Sequence, residues 1–344
     1  MTNNLFDDTE EADIEVADTS TLHTIGQGFC GTVWASETSP AFKREDGGPH
    51  RSLINDFEMH NRVTQTLQKI LTLQLQIQIP TCYGFIKATD QKWWSVNHRT
   101  FSPGYTTPCN MIQSQRIPPF PDTTRRLLIK NYCPPTLVQE TIASGPNKDC
   151  LVRPYLGRRR TQKSHTASRF TAFSLRNFPL HIDQLEEPGI TTNDINQYAR
   201  VMAETLAMMH WIGEIDGNDI EIVLAPPSKG SPLKTESNVF GDHSMWVLDF
   251  DLCRRMAMDS KGVEQAAAAF WGNDRYYPRP GLETDILLWI VFREHYLQIS
   301  EMCIGIVNEP YEAERRCVLS RQFIDLVEQK GKTSKEKEKD PDMN

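Results

Sequence analysis

No stretch of this chain is long and apolar enough to cross a bilayer as a helix. The longest apolar run is Ile286-Leu287-Leu288-Trp289-Ile290-Val291-Phe292, and a spanning helix needs about twenty such residues. The first twenty residues hold seven acids and no base, the reverse of a secretory or transit leader. None of the eight cysteines forms a C-x-x-C pair, and no C-x-x-C with H-x-x-x-H arrangement exists. A zinc finger therefore has no ligand spacing and no zinc is expected. An intracellular protein, cytoplasmic or nuclear, with reduced thiols is the expectation. Basic charge is also in short supply: the net charge is −8, which argues against a nucleic-acid partner. One basic cluster (Arg153, Arg158, Arg159, Arg160 and Lys163) reads as a solvated loop. No internal repeat is present.

The 344 residues are enough for one large two-lobed domain or two smaller ones. Residues 1–20 and 330–344 are highly charged with no apolar periodicity, so loose chain is expected at both ends. Between them, residues 21–117 look β-rich. TLHTIGQGFCGTVW (21–34) carries G-x-G-x-x-G, followed by the strand-favouring Thr32-Val33-Trp34. That predicts a strand, a glycine turn and a second strand, not the strand-to-helix passage of a dinucleotide fold. Ala41-Phe42-Lys43, Tyr83-Gly84-Phe85-Ile86 and Trp93-Trp94 read as further strand pieces, and residues 52–78 as one or two helices. The proline-bearing stretch 102–136 reads as a loop-rich connection. Residues 118–329 look helical, with a stripe of Ile195, Tyr198, Ala199, Met202, Leu206 and Met209 on a helix opened by Thr192-Asn193-Asp194. Met245-Trp246-Val247-Leu248 predicts a strand that ends in Asp249-Phe250-Asp251. Helices are expected near 283–300 and 311–329.

Four features stand in an order that suits phosphate chemistry: the glycine turn, Lys43, Asp249 after an apolar strand, and Asp285 opening a helix. Glycine lets backbone N–H groups approach phosphate oxygens. A lysine supplies a point charge for phosphates, and a carboxylate can hold Mg²⁺ on them.

The first third resembles the small lobe of protein kinases, through G-x-G-x-x-G-x-V and A-x-K at Gly26, Gly28, Gly31, Val33 and Lys43. Asp249-Phe250-Asp251 is similar to the kinase D-F-G with Asp for the glycine. Asp285 and Trp289 are similar to the kinase D-x-W helix. From about 20 to 325 the chain also resembles a fungal family of unknown function, often labelled "zinc finger protein". The stretches that carry this are AFKREDGG (41–48), NDFEMH (55–60), YARVMAETLAMMHW (198–211), WVLDFD (246–251) and NDRYYPRP (273–280). The resemblance implies an α+β, two-lobed kinase-like fold, a nucleotide site for ATP and Mg, and an activity that is degenerate. Gly26, Gly28, Gly31, Val33 and Lys43 would bind the nucleotide, with Glu58 as the acid paired to Lys43 and Asp56 as the alternative.

The catalytic loop departs from the kinase pattern. Met209-His210 is not followed by H-R-D. One register makes Asp216 the base and puts Glu221 beside Asp249 as a metal ligand. Another brings Asn218 or Asp219 into the loop and puts Ile222, which cannot bind metal, at that position. The hinge falls at Met111–Ile117 or at Leu151–Tyr155. A nucleotide-binding regulatory module, a pseudokinase, is the first expectation. An atypical phosphotransferase with Asp216 or Asp219 as base is the second, and a scaffold without nucleotide the third. An unidentified protein or small molecule would be the further partner.

Overall fold

A computed structural model of the chain describes residues 21–160, 173–230, 233 and 235–339, with the backbone alone for 333–339. The expectations for residues 1–20, for 340–344 and for Lys163 lie outside the described residues.

The chain is a mixed α+β protein, β-rich in its N-terminal part and helical in its C-terminal part. Its elements in order are β1 (His23–Gln27), β2 (Thr32–Ala35), β3 (Ala41–Arg44), α1 (Ile54–Lys69), β4 (Ile77–Gln78), β5 (Cys82–Ile86), α2 (Gln91–Asn97), β6 (Met111–Ser114), α3 (Asp122–Tyr132) and α4 (Val138–Ala143). They continue with β7 (Val152–Tyr155), β8 (Phe178–His181), α5 (Ile182–Glu186), α6 (Thr192–Met208), β9 (Glu221–Ala225), β10 (Glu236–Asn238), β11 (Gly241–Leu248), α7 (Ser260–Gly272), α8 (Ile286–Val307) and α9 (Pro310–Lys339).

The first sheet has the order β1-β2-β3-β6-β5, antiparallel throughout. Its strands alternate in which face they bury, as period-two side chains must. Trp34, Phe42, Met111 and Ile86 pack on one face with Trp94 and Phe101. Ile112 on the other face meets Leu53 and Phe57 at the start of α1. The second sheet runs β10-β11-β9-β7-β8, with β4 added parallel to β11. Helices α6 and α8 pack closely on each other, and their apolar faces fill the large core with Met202, Leu206, Phe292 and Tyr296.

The glycine hairpin and the strand into Asp249 form as the sequence pattern predicts. Four local expectations do not hold. Trp93 and Trp94 lie on α2, because Asp90 caps that helix by accepting the Trp93 N–H at 2.9 Å. The stretch 102–136 contains α3, whose buried Leu128 and Ile129 give it a core-facing side. Residues 330–339 continue α9, where charge alone suggested loose chain. The later part also supplies five strands, β7 to β11, of a six-stranded sheet completed by β4, where the sequence reading expected the Met245–Leu248 strand among helices.

Helix α6 shows how local chemistry fixes a boundary. The Thr191 hydroxyl accepts from the Asp194 backbone at 3.2 Å, while the Asp194 carboxylate accepts from the Thr191 N–H at 2.9 Å. This reciprocal cap satisfies two of the donors that a helix start leaves open. The Thr191→Ala protein should lose about 1 kcal/mol of stability, read as a lower urea midpoint with an unchanged slope.

Candidate functional site

A cleft of about 160 Å³ opens between the two sheets. Ile25, Gly26, Gly28 and Val33 of the glycine hairpin line one side, and Ala41, Lys43, Ile112 and Ser114 line the back. Leu151, Glu221, Leu248 and Asp249 come from the second sheet and its end. Two distant halves of the sequence therefore supply opposite walls.

Lys43 is the centre of this site. Its register places it between Val33 on β2 and Ile112 on β6, so its side chain leaves the sheet on the cleft side. The Lys43 Nζ donates to Asp56 Oδ2 at 2.6 Å and to Asp249 Oδ1 at 2.7 Å. Burial alone would lower the lysine pKa, but the charges of Asp56 and Asp249 outweigh it and hold the ammonium well above its ordinary range. Asp56 uses its other oxygen to accept the Phe250 N–H at 3.1 Å. The acid partner of Lys43 is thus Asp56 and not Glu58. On α1, Asp56 shares the buried face with Met59, His60 and Val63, whereas Glu58 is exposed to solvent. Two residues of a helix turn the side chain by about 200°, which is the physical reason for the correction.

Asp249 sits in the left-handed region at φ +62°, a conformation that costs a non-glycine residue and tends to persist at functional positions. Its Oδ1 is held by Lys43, and its Oδ2 faces the glycine turn. The turn itself is tight. Gly28 N–H donates to the Gly31 carbonyl at 2.8 Å. Gly31 must be glycine: its φ is +149°, and a Cβ there would stand 2.1 Å from the Arg44 carbonyl oxygen. Gly31 thus shapes the turn and does not line the cleft. Gly26, Gly28 and Val33 do line it.

The loop before β9 divides the candidate bases. Asp216 is 1% exposed. Its Oδ1 accepts the backbone N–H groups of Asn218 and Arg254, and its Oδ2 accepts from Arg254 Nε at 2.9 Å and Gln265 Nε2 at 2.8 Å. A carboxylate so buried and so fully engaged cannot take a proton from an acceptor in the cleft. Asp216 is a structural tie, against the expectation of a base. Asp219 is exposed, and Asn273 fixes its loop by accepting the Asp219 N–H at 2.6 Å and donating to the Gly217 carbonyl at 2.8 Å. Burial and the negative charges of Asp249 and Asp274 push the Asp219 carboxyl up from its ordinary range.

Glu221 lines the cleft and is engaged by Arg153, which donates to its Oε1. Burial, with help from Asp249, raises the Glu221 carboxyl against the opposing pull of Arg153. In the basic cluster Arg153, Arg159 and Arg160 are thus paired with acids, while Arg158 and Arg160 remain exposed to solvent. Arg159 binds Asp285 and Glu186, and Arg160 binds Asp183 and Glu187. Asp285 therefore stands at the start of α8 as an arginine partner, away from the cleft lining. His60 is a site residue that sequence reasoning missed. It lines the cleft, its Nε2 lies 2.6 Å from the Pro80 carbonyl oxygen, and its ring centroid is 5.2 Å from that of Phe250. Only its place one turn beyond Asp56 on α1 could have signalled it.

A family model described as "Zinc finger protein" matches residues 245–307, from the end of β11 through Asp249 to the end of α8. That finding corrects the resemblance drawn from the sequence. The match covers a minority of the chain, not residues 20–325, and it brings neither a kinase-like domain nor a fungal source. Its description raises zinc, but among the described residues no group of three or more His, Cys, Asp or Glu side chains is placed to hold a metal ion. No curated protein and no solved structure matches the chain. No helix among the described residues is long and apolar enough to cross a membrane.

Two outcomes follow from the buried polar groups. Asp216→Ala should cost about 3 kcal/mol, because it strands buried donors, whereas Asp219→Asn should leave the unfolding midpoint nearly unchanged. His210 is fully buried, with Nδ1 2.9 Å from the Tyr296 hydroxyl oxygen, and burial lowers its pKa to about 4. Its unfolded form binds a proton first as pH falls. Stability should therefore drop between about pH 6.5 and 4 and level off below, and His210→Gln should flatten that part of the stability–pH curve.

Proposed function

We propose that the cleft binds an adenine nucleotide with Mg²⁺, and that the chain is a two-lobed, kinase-like module whose role is binding or regulation. The observation that carries this reading is Lys43 held at 2.6 and 2.7 Å between Asp56 and Asp249 beneath a glycine hairpin. A lysine anchored by acids from two other elements is a positioned point charge for phosphates. The apolar walls from Ile25, Val33, Ala41, Ile112 and Leu248 suit a flat base, as ligand clefts usually combine such walls with a few placed charges.

The donor set fits Mg²⁺ in part. Asp249 Oδ2 is a hard oxygen facing the cleft and would hold the ion. Glu221 would join it only by loosening its pairing with Arg153. When bound, the ion would neutralise phosphate charge in a cleft that Asp56, Asp249 and Glu221 otherwise make acidic. The eight cysteines are all unpaired, which supports a reducing, cytoplasmic or nuclear setting. An unidentified protein or small molecule would be the further partner.

A second reading, phosphotransfer to an unidentified acceptor, is favoured by one observation: the Asp219 residue meets solvent while partial burial of its carboxyl, with the charges of Asp249 and Asp274, raises it. In that reading Asp219 serves as the base, since general bases are tuned upward by burial and like charge.

Thermal denaturation with ATP, ADP and Mg²⁺ tests the proposal. Ligand at a hundredfold over its Kd should add about 2.7 kcal/mol, and the gain should vanish in Lys43→Ala and depend on Mg²⁺ only while Asp249 is intact. No shift at millimolar ATP would leave a scaffold without nucleotide.

A further inference from the structure

Glu221 is not free to act on a ligand. Arg153 donates to its Oε1, and Asn177 Nδ2 donates to its Oε2 at 3.4 Å. Both oxygens of this carboxylate are thus engaged. Asn177 itself lines the cleft together with Glu221 and Asp249. Its amide nitrogen is turned to Glu221, so Oδ1 lies at the other end of the carboxamide. Among the described residues, that oxygen accepts no hydrogen bond. The chain fixes Asn177 from both sides. The Leu175 N–H donates to Asn147 Oδ1 at 2.9 Å, and the Phe178 N–H donates to the Leu151 carbonyl at 2.8 Å. The Arg176 guanidinium reaches the Thr24 carbonyl on β1, a strand whose Ile25 and Gly26 also line the cleft. Between these ties Asn177 stands at φ +47°, a left-handed conformation that is costly for most side chains and tolerated by asparagine.

From this geometry, and resting on the nucleotide reading above, we propose that Asn177 is a metal-binding residue of the cleft. Its Oδ1 serves the Mg²⁺ of the bound nucleotide as the second protein oxygen beside Asp249, and Glu221 is the positioning residue that orients the carboxamide. Carbonyl oxygens suit hard divalent cations. A carboxamide also supplies such an oxygen without a further negative charge, in a lining that already holds Asp56, Glu221 and Asp249 and has to accept phosphates. Neither register of the loop before β9 offers an uncharged oxygen at that place. The fold brings one from the turn into β8, 44 positions before Glu221.

The test is calorimetric titration of ATP into the full chain, once with excess Mg²⁺ and once with EDTA. The proteins are wild type, Asn177→Gly, Asn177→Asp, Glu221→Ala and Glu221→Gln. Glycine suits the left-handed backbone, so Asn177→Gly removes the carboxamide without straining the turn, and its thermal midpoint without ligand should match that of wild type. It should bind Mg·ATP about tenfold more weakly, the loss of one charge-assisted contact, and bind metal-free ATP as wild type does. Asn177→Asp keeps an oxygen at that place and should retain the preference for Mg·ATP. Glu221→Ala, which leaves the carboxamide without its acceptor, should lose part of that preference, and Glu221→Gln, which supplies an acceptor again, should restore it. If Asn177→Gly weakens Mg·ATP and metal-free ATP equally, or neither, the assignment is overturned and nucleotide binding stands. A preference lost in Glu221→Gln and kept in Asn177→Gly overturns it too, and makes Glu221 the ligand. Absence of ATP binding to every protein, with and without metal, overturns the nucleotide reading, and the assignment falls with it.

Discussion

One ammonium group joins the two halves of this molecule. Lys43 belongs to the first sheet, Asp56 to α1 and Asp249 to the end of β11, and both carboxylates reach the same Nζ. Taking such charges out of water is costly unless they are paired, so each of the three positions constrains the other two. Asp56 extends the constraint by holding the Phe250 N–H, which places Phe250 in the core beside His60. This contact ties β3 to the end of β11, far apart in sequence and in different sheets, at the cleft that both line. An aspartate in place of a longer acid also requires α1 to lie close against β3. The packing of Leu53, Phe57, Phe85 and Ile112 is the apolar counterpart of that approach.

The loop between α6 and β9, which lies outside the cleft lining, is fixed for a different reason. Asp216 collects four donors, and Asn273 ties Gly217 and Asp219 to the end of α7. Gly217 and Asp219 in this loop, and Asp249 in the cleft lining, have positive φ. Only a network that over-determines the backbone keeps such conformations populated. The consequence is a division of labour between neighbouring acids: Asp216 is spent on holding the loop, which leaves Asp219 as the carboxylate that meets solvent.

The sequence made the hairpin, Lys43, Asp249 and the α6 stripe legible, because each depends on local signals such as glycine spacing, strand alternation or helical period. What it left unread depends on direction and on long-range pairing. Glu58 and Asp56 are two residues apart, and spacing alone does not say which faces β3. Trp93 and Trp94 favour strands by type, yet a single cap at Asp90 makes them helical. The arginines at 153, 159 and 160 look like a solvated run until the fold brings Glu221, Asp285 and Asp183 against them. Asp216 and Asp219 are equally plausible bases in the chain, and only burial separates them. The resemblance read across residues 20–325 failed in a related way. Its motifs are short and widely spaced, and the family match rests on the one contiguous stretch from 245 to 307.

The contrast between these fixed acids and the glycine turn on the opposite wall bears on how the cleft can move. Below, charged and backbone hydrogen bonds converge on Asp56, Asp216 and Asn273, and loosening any one strands several buried groups. Above, the hairpin turn is held by the Cys30 thiol, by the Gly28–Gly31 and Gly47–Cys30 backbone bonds and by Thr32, whose N–H and hydroxyl both donate to Asp46. The Thr32 bonds are exposed to solvent, and regions held by exposed bonds open before those held by buried ones. Motion on entry of a ligand therefore belongs to the glycine turn, while Lys43, Asp249 and the Asp216 loop keep their places. The charged wall of the cleft is thus its fixed part and the glycine turn the part that yields.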